Sequence, residues 1–123
     1  ATFTGSTYSI NAPVIATYCV TGGKPAFSYD ERWVVFHHYV EAADAVELGF
    51  TGPADPAFAA YLSLGAANIY LMDLTTGTTR RITNMQPGQY ALYPHFRADR
   101  WIYAQVRDRT TGHEITIALD AAL

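Results

Sequence analysis

The sequence predicts an all-β fold assembled from repeated antiparallel sheet units, and three observations predict it. One motif occurs twice: Pro25-Ala26-Phe27-Ser28-Tyr29-Asp30, then Arg32-Trp33 and an apolar run, and again Pro94-His95-Phe96-Arg97-Ala98-Asp99, then Arg100-Trp101 and an apolar run. Short β-prone stretches alternate with turns containing Gly, Asp and Thr. Hydrophobic residues make up 50% of the 123 residues and charged residues only 15%, a balance that excludes a disordered chain.

Each element follows from its own residues. Tyr8–Ile10 and Val14–Val20 read as strands within an N-terminal segment, 1–23. Gly22-Gly23-Lys24 lacks the flanking residues of a phosphate-binding loop and reads as a turn into the strand opened by Pro25, where a missing N–H donor is tolerated. Asp30 sits in a tight turn, where a short carboxylate accepts backbone N–H groups, and Trp33 begins the next strand. Residues from about 41 to 67 differ from their surroundings: they are rich in Ala and broken by Gly49, Gly52, Pro53 and Pro56, so they read as an insertion of about 27 residues. Within it, a helical turn would bring Glu41, Asp44 and Glu47 loosely to one side. Asp55 as N-cap, Pro56 at the first helical position, apolar Phe58, Tyr61 and Leu62 and a terminating Gly65 predict a short helix.

After the insertion, Asn68–Leu74 reads as a buried strand, Thr75–Thr78 as a turn and Thr79–Thr83 as a strand that completes a first unit over 24–84. Tyr90–Tyr93, suited to packing or to a binding surface, leads into the second copy of the motif. Trp101–Arg107, the turn Asp108–Gly112 and the alternating strand Glu114–Leu119 make an incomplete second unit over 90–123, which stops where a fourth strand would begin.

The two prolines lie 69 residues apart, and leaving out the insertion brings the spacing to about 42, within the roughly 40–45-residue period of a four-stranded propeller blade. The motif resembles the WD40-like β-propeller repeat of TolB-type proteins. The likeness rests on Pro25-Ala26-Phe27-Ser28-Tyr29-Asp30, on Asn68-Ile69-Tyr70-Leu71-Met72-Asp73-Leu74-Thr75-Thr76-Gly77 and on Arg80-Arg81-Ile82-Thr83. It covers about 24–123 apart from the insertion. Tyr29 and Glu31 stand where that family prefers Pro and Gly, and Arg97-Ala98-Asp99-Arg100 departs further. The resemblance implies four-stranded antiparallel propeller-type blades. It makes Pro25, Phe27, Asp30, Trp33, Pro94, Phe96, Asp99 and Trp101 structural repeat positions, the tryptophans filling space between blades. It also implies a non-catalytic interaction or scaffold module of the bacterial periplasm or cell envelope with protein partners. The alternative is an accessory propeller part of an enzyme or of a cytochrome or redox complex.

About one and a half blades cannot close a ring of 4–8, and lone repeat units leave apolar faces and sheet edges uncovered. The expectation is therefore a piece of a larger propeller, a subunit completed by other chains or by copies of itself, or a compact sheet domain that reuses the motif. The opening Ala1-Thr2-Phe3-Thr4-Gly5 lacks both a start Met and signal-peptide blocks, which fits a processed or excised chain.

Candidate chemistry is sparse. The net charge is −3, from 11 acidic and 8 basic residues, and no basic cluster exceeds Arg80–Arg81, so no nucleic-acid partner is expected. No run reaches the roughly 18 apolar residues of a membrane span. The single Cys19 cannot form an intrachain disulfide and reads as a small buried side chain, with a redox thiol or an intermolecular bridge as the alternative. His37 and His38, adjacent in a strand, point to opposite faces and cannot easily share a metal. His95 occupies a variable repeat position and His113 flanks a turn. His37 or His95 is the best candidate ligand, but no metal or cofactor site is expected from these spacings. The acidic residues of the insertion lack the alternation and glycine of a calcium loop, and no nucleophile motif is present.

Overall fold

A computed structural model describes residues 2–123, with the backbone alone at Tyr8. Ala1 lies outside the described residues. Strand β1 (Thr2–Thr4) pairs with β2 (Thr7–Ser9) in a small separate hairpin turned at Gly5. Residues 10–22 contain no strand, which corrects the expectation for Val14–Val20. Strand propensity is realised through paired neighbours and burial, and this stretch has neither, Ile15 being 96% exposed.

The remaining strands form one open, mixed, seven-stranded sheet, so the all-β class holds. Four strands join in antiparallel order as a first unit: β3 (Gly23–Phe27), β4 (Trp33–Tyr39), β5 (Ala67–Asp73) and β6 (Thr79–Arg81). Three more form a second unit: β7 (Gln89–Phe96), β8 (Ile102–Asp108) and β9 (Glu114–Leu119). The units meet through one parallel pair, Ala67 opposite Tyr90.

Strands β4 and β5 are buried on both faces, which is why Val34-Val35-Phe36 and Ile69-Tyr70-Leu71-Met72 read as continuous apolar runs rather than alternating ones. The main core is the seam between the units. Val35, Ile69 and Leu71 of the first pack against Ala91, Ile102, Ala104 and Val106 of the second.

The two copies of the motif make matching backbone contacts. Ser28 N donates to Trp33 O as Arg97 N does to Trp101 O, and Glu31 N donates to Ser28 O as Arg100 N does to Arg97 O. Asp30 Oδ1 accepts from Arg32 N and Asp99 Oδ1 from Trp101 N, each at 3.3 Å. The non-glycine residues with positive φ also pair off by repeat position: Lys24 (51°) with Tyr93 (52°), each before the motif proline, and Glu31 (55°) with Arg100 (70°), each after the motif aspartate. A second shared device is the turn Asp-x-Thr-Thr-Gly after β5 and again after β8. Asp73 Oδ1 accepts from Thr75 N and Oγ1, and Asp108 Oδ1 from Thr110 N and Oγ1. Gly77 and Gly112 supply the left-handed residue that each turn requires.

The insertion folds as its caps predict. Ala42–Asp44 form one 3-10 turn in which Asp44 Oδ2 accepts from Glu41 N at 2.7 Å. Asp55 caps a second, Pro56–Phe58, accepting from Ala57 N at 2.9 Å, and the chain continues as helix α1 (Ala59–Leu64). Phe58, Tyr61, Ala45 and Ala66 form a small core of its own.

Candidate interaction surface

The strand alternation gives the first unit two faces. Val35, His37, Ile69 and Leu71 point to the seam. Val34, Phe36, His38, Asn68, Tyr70 and Met72 point the other way, since the register sets Val34 opposite Met72, Phe36 opposite Tyr70 and His38 opposite Asn68. This outer face carries an apolar cluster of Val34, Phe36, Tyr70 and Met72, with Leu74 packed on it, and Phe36 stacks on Tyr70 at 5.8 Å.

Residues 10–22 pass over this face without strand pairing. The Tyr18 hydroxyl donates to Leu74 O at 3.0 Å, and the backbone at Gly22 lies so close to the Phe36 ring that no Cβ fits there. Covering is partial: a groove of about 770 Å³ remains, lined by Ile15, Phe27, Tyr29, Val34, Met72 and Leu74 among others. At its rim Phe27 is 63% exposed and Tyr29 86%.

Toward the insertion the same face becomes polar. A smaller cleft of about 330 Å³ gathers Cys19, His38, Glu41, Asp44, Glu47 and Tyr70. The carboxylates of Glu41, Asp44 and Glu47 do share one side. All three are occupied: the Glu41 side chain accepts from the Asp44 backbone N–H, Asp44 Oδ2 lies 2.9 Å from His38 Nε2, and Glu47 Oε1 accepts from the Tyr70 hydroxyl at 3.0 Å and from Arg81 Nε at 3.2 Å. Burial, and then the Glu47 carboxylate, push the Tyr70 phenol far above its ordinary pKa, so it remains a donor. Cys19 is exposed at this cleft, which corrects the expectation of a buried side chain.

The repeat positions fall in unlike surroundings. Pro94 is buried and Phe96 half-buried against the seam core, whereas their counterparts Pro25 and Phe27 are exposed at the groove. Trp33 is half-buried against the seam core, and its ring carries the Arg32 guanidinium at 5.0 Å. Trp101 is half-buried directly before β8. Asp30 and Asp99 are exposed in their turns, and hydrogen bonds, above all from the Ser28 hydroxyl, hold the Asp30 carboxyl below its ordinary pKa.

The four histidines are dispersed. His37 is buried at the seam and His38 faces the insertion, on opposite sides of β4 as alternation requires. His95 stacks on Tyr103 at 6.0 Å, and the backbone N–H of His113 donates to Thr111 Oγ1. Among the described residues no three His, Cys, Asp or Glu side chains are placed to hold a metal, and no hydroxyl or thiol is hydrogen-bonded to a histidine. No described helix is long and apolar enough to cross a membrane.

Sequence reasoning missed Lys24, Tyr93 and Arg100 as backbone determinants. A residue before proline is normally extended, so nothing in Lys24-Pro25 or Tyr93-Pro94 signals a positive φ. Compared with models of known families and with curated proteins, the chain matches none.

Proposed function

We propose that the chain is a non-catalytic protein-interaction module built of TolB-like propeller repeats, and that the outer face of its first unit receives a sheet face of another protein chain or of the remainder of a larger propeller. One observation carries this reading. Aligning the repeats makes Phe27, Val34 and Phe36 the counterparts of Phe96, Ile102 and Ala104. In the second unit those residues pack on the aliphatic face of the first, formed by Val35, Ile69 and Leu71. In the first unit Phe27 and Val34 line the groove and Phe36 lines the smaller cleft beside it, with only residues 10–22 over them. The same sheet-on-sheet contact is thus made once and offered once more.

The fitting partner surface is aliphatic and sheet-borne, like Val35, Ile69 and Leu71, because flat apolar faces that repeat units cannot bury alone are covered by stacked neighbours. The apolar side chains left exposed at the groove, Ile15, Phe27 and Tyr29, support an interaction site there. We propose that such a module acts in the bacterial cell envelope or periplasm, as the resemblance implies.

Hydroxyl-radical footprinting over a concentration series tests the surface. Phe27 and Tyr29 should become protected as the chain assembles, while the exposed Tyr39 on the opposite side of β4 keeps its reactivity. Equal reactivity of all three at every concentration would remove the groove from consideration.

A further inference from the structure

The contact between the units contains a group that changes its hydrogen-bonding sense with protonation. His37 is only 5% exposed, and its Nδ1 accepts the backbone N–H of Tyr93 at 3.3 Å, from β4 of the first unit to β7 of the second. An acceptor Nδ1 fixes the neutral ring with its proton on Nε2.

The imidazole lies between two irregular strands. On one side is β3, where Gly23 pairs with His37 and the register shifts before Ala26, at Lys24. On the other is β7, where the register shifts between Leu92 and His95, at Tyr93. Both bulges carry a non-glycine residue with positive φ, a strained conformation that persists only where surrounding contacts enforce it. The Tyr93–His37 bond is one of the enforcing contacts, and the rings of Tyr39 and Tyr93 stand edge-on to the imidazole at 5.5 and 5.9 Å.

The titratable and charged groups around it are Lys24 on β3, His38 and Tyr39 on β4, and Tyr93 on β7, whose ring carries the Arg107 guanidinium at 5.8 Å. None is a carboxylate, so nothing compensates a second positive charge. Burial first, and then Lys24 and His38, hold the imidazole below its ordinary pKa.

We propose that His37 is a proton-operated latch between the two repeat units. Neutral, it holds the Tyr93 bulge of β7 against β4. Protonated, its Nδ1 becomes a donor facing the Tyr93 N–H, the bond is lost and the seam loosens at this point. The direction follows from linkage: the open form binds the proton more readily, so the latch is closed above about pH 6.5 and opens as the pH falls below it.

The experiment is NMR of the full chain from pH 7.5 to 4.5, following the His37 ring nitrogens and the exchange protection of the Tyr93 amide, corrected for intrinsic exchange. Protection should fall at least tenfold along the same titration curve as the His37 ring. His37→Asn offers an oxygen near the Nδ1 position that does not titrate, so the acid loss should disappear, whereas His38→Gln and His95→Gln should retain it. If Tyr93 protection stays constant while the His37 ring titrates in the unsubstituted chain, or if H37N loses protection at acid pH as that chain does, the latch is overturned. The ring and amide comparison needs no variant, so a folding failure of H37N leaves the test decisive.

Discussion

The Asp30 carboxylate of the first repeat turn lies 2.9 Å from the Arg100 guanidinium of the second, so the two copies of the same turn are joined to each other across the seam. The two ends of this pair serve different purposes. Asp30 Oδ1 also accepts from the Ser28 hydroxyl at 2.6 Å and from Arg32 N, which shapes its own turn. Arg100 contributes an exposed ion pair, a contact of small worth that salt screens. Asp30→Ala should therefore lower the melting temperature clearly, Arg100→Gln only slightly, and 1 M NaCl should erase the Arg100 effect alone. Melting curves of both variants at low and high salt check this, and equal losses would contradict the division of roles.

The seam core implies that the two units unfold together. Ile69 is fully buried in it, and Ile69→Ala should cost about 2–5 kcal/mol through lost transfer energy and the cavity left behind. Trp33 reports on the first unit and Trp101 on the second, so single-tryptophan variants followed in urea should give coincident transitions that shift by the same amount on Ile69→Ala. Separate midpoints would show that the seam does not couple the units.

Gly65 ends helix α1 with φ 71° and ψ 167°, a region open essentially to glycine alone. The Tyr90 hydroxyl occupies the space where a Cβ would stand and donates to Leu64 O at 2.6 Å. Gly65→Ala should cost roughly 1–3 kcal/mol from backbone conformation, with the displaced Tyr90 adding to it. Chemical denaturation of G65A together with Tyr90→Phe separates the two parts: the tyrosine variant should lose only the hydrogen bond.

Hydrogen bonds from Thr110 lead those that bring the Asp108 carboxyl from the ordinary aspartate value to about 2. Because the folded-state value is the lower one, its stabilisation is complete above the unfolded value, near 3.9, and is lost as the pH falls from there toward 2. Asp108→Asn should flatten the stability profile in that window and leave its shape above pH 5 unchanged. Acid titration of unfolding free energy for both proteins reads this directly.

Much of this architecture was legible because its signals are local. Asp30, Asp99, Asp73 and Asp108 shape turns through their own neighbours, and Asp55, Pro56 and Gly65 delimit a helix in the same way. The turns after the two motif phenylalanines carry matching backbone hydrogen bonds, Ser28 N to Trp33 O and Arg97 N to Trp101 O. What depended on distant partners was not legible. Val14–Val20 has the composition of a strand and no strand beside it. Cys19 is exposed because the segment carrying it lies over a face instead of within the sheet. Phe27 and Phe96 share one motif position and differ in exposure because only the second has a sheet stacked on it. The His37–Tyr93 contact spans 56 residues and rests on a bulge that Tyr93-Pro94 does not suggest.

The outer face of the first unit is proposed to be covered by another protein surface, which in the purified chain is that of a second copy. Light scattering of the purified chain across a wide concentration range tests it most directly, with Phe27→Ser/Tyr29→Ser as the comparison, since both residues are exposed and their replacement leaves the core intact. The mass should rise above 13.5 kDa with concentration for the unsubstituted chain and stay at the monomer value for the double variant. A monodisperse monomer throughout for the unsubstituted chain, or association unchanged in the variant, would contradict it.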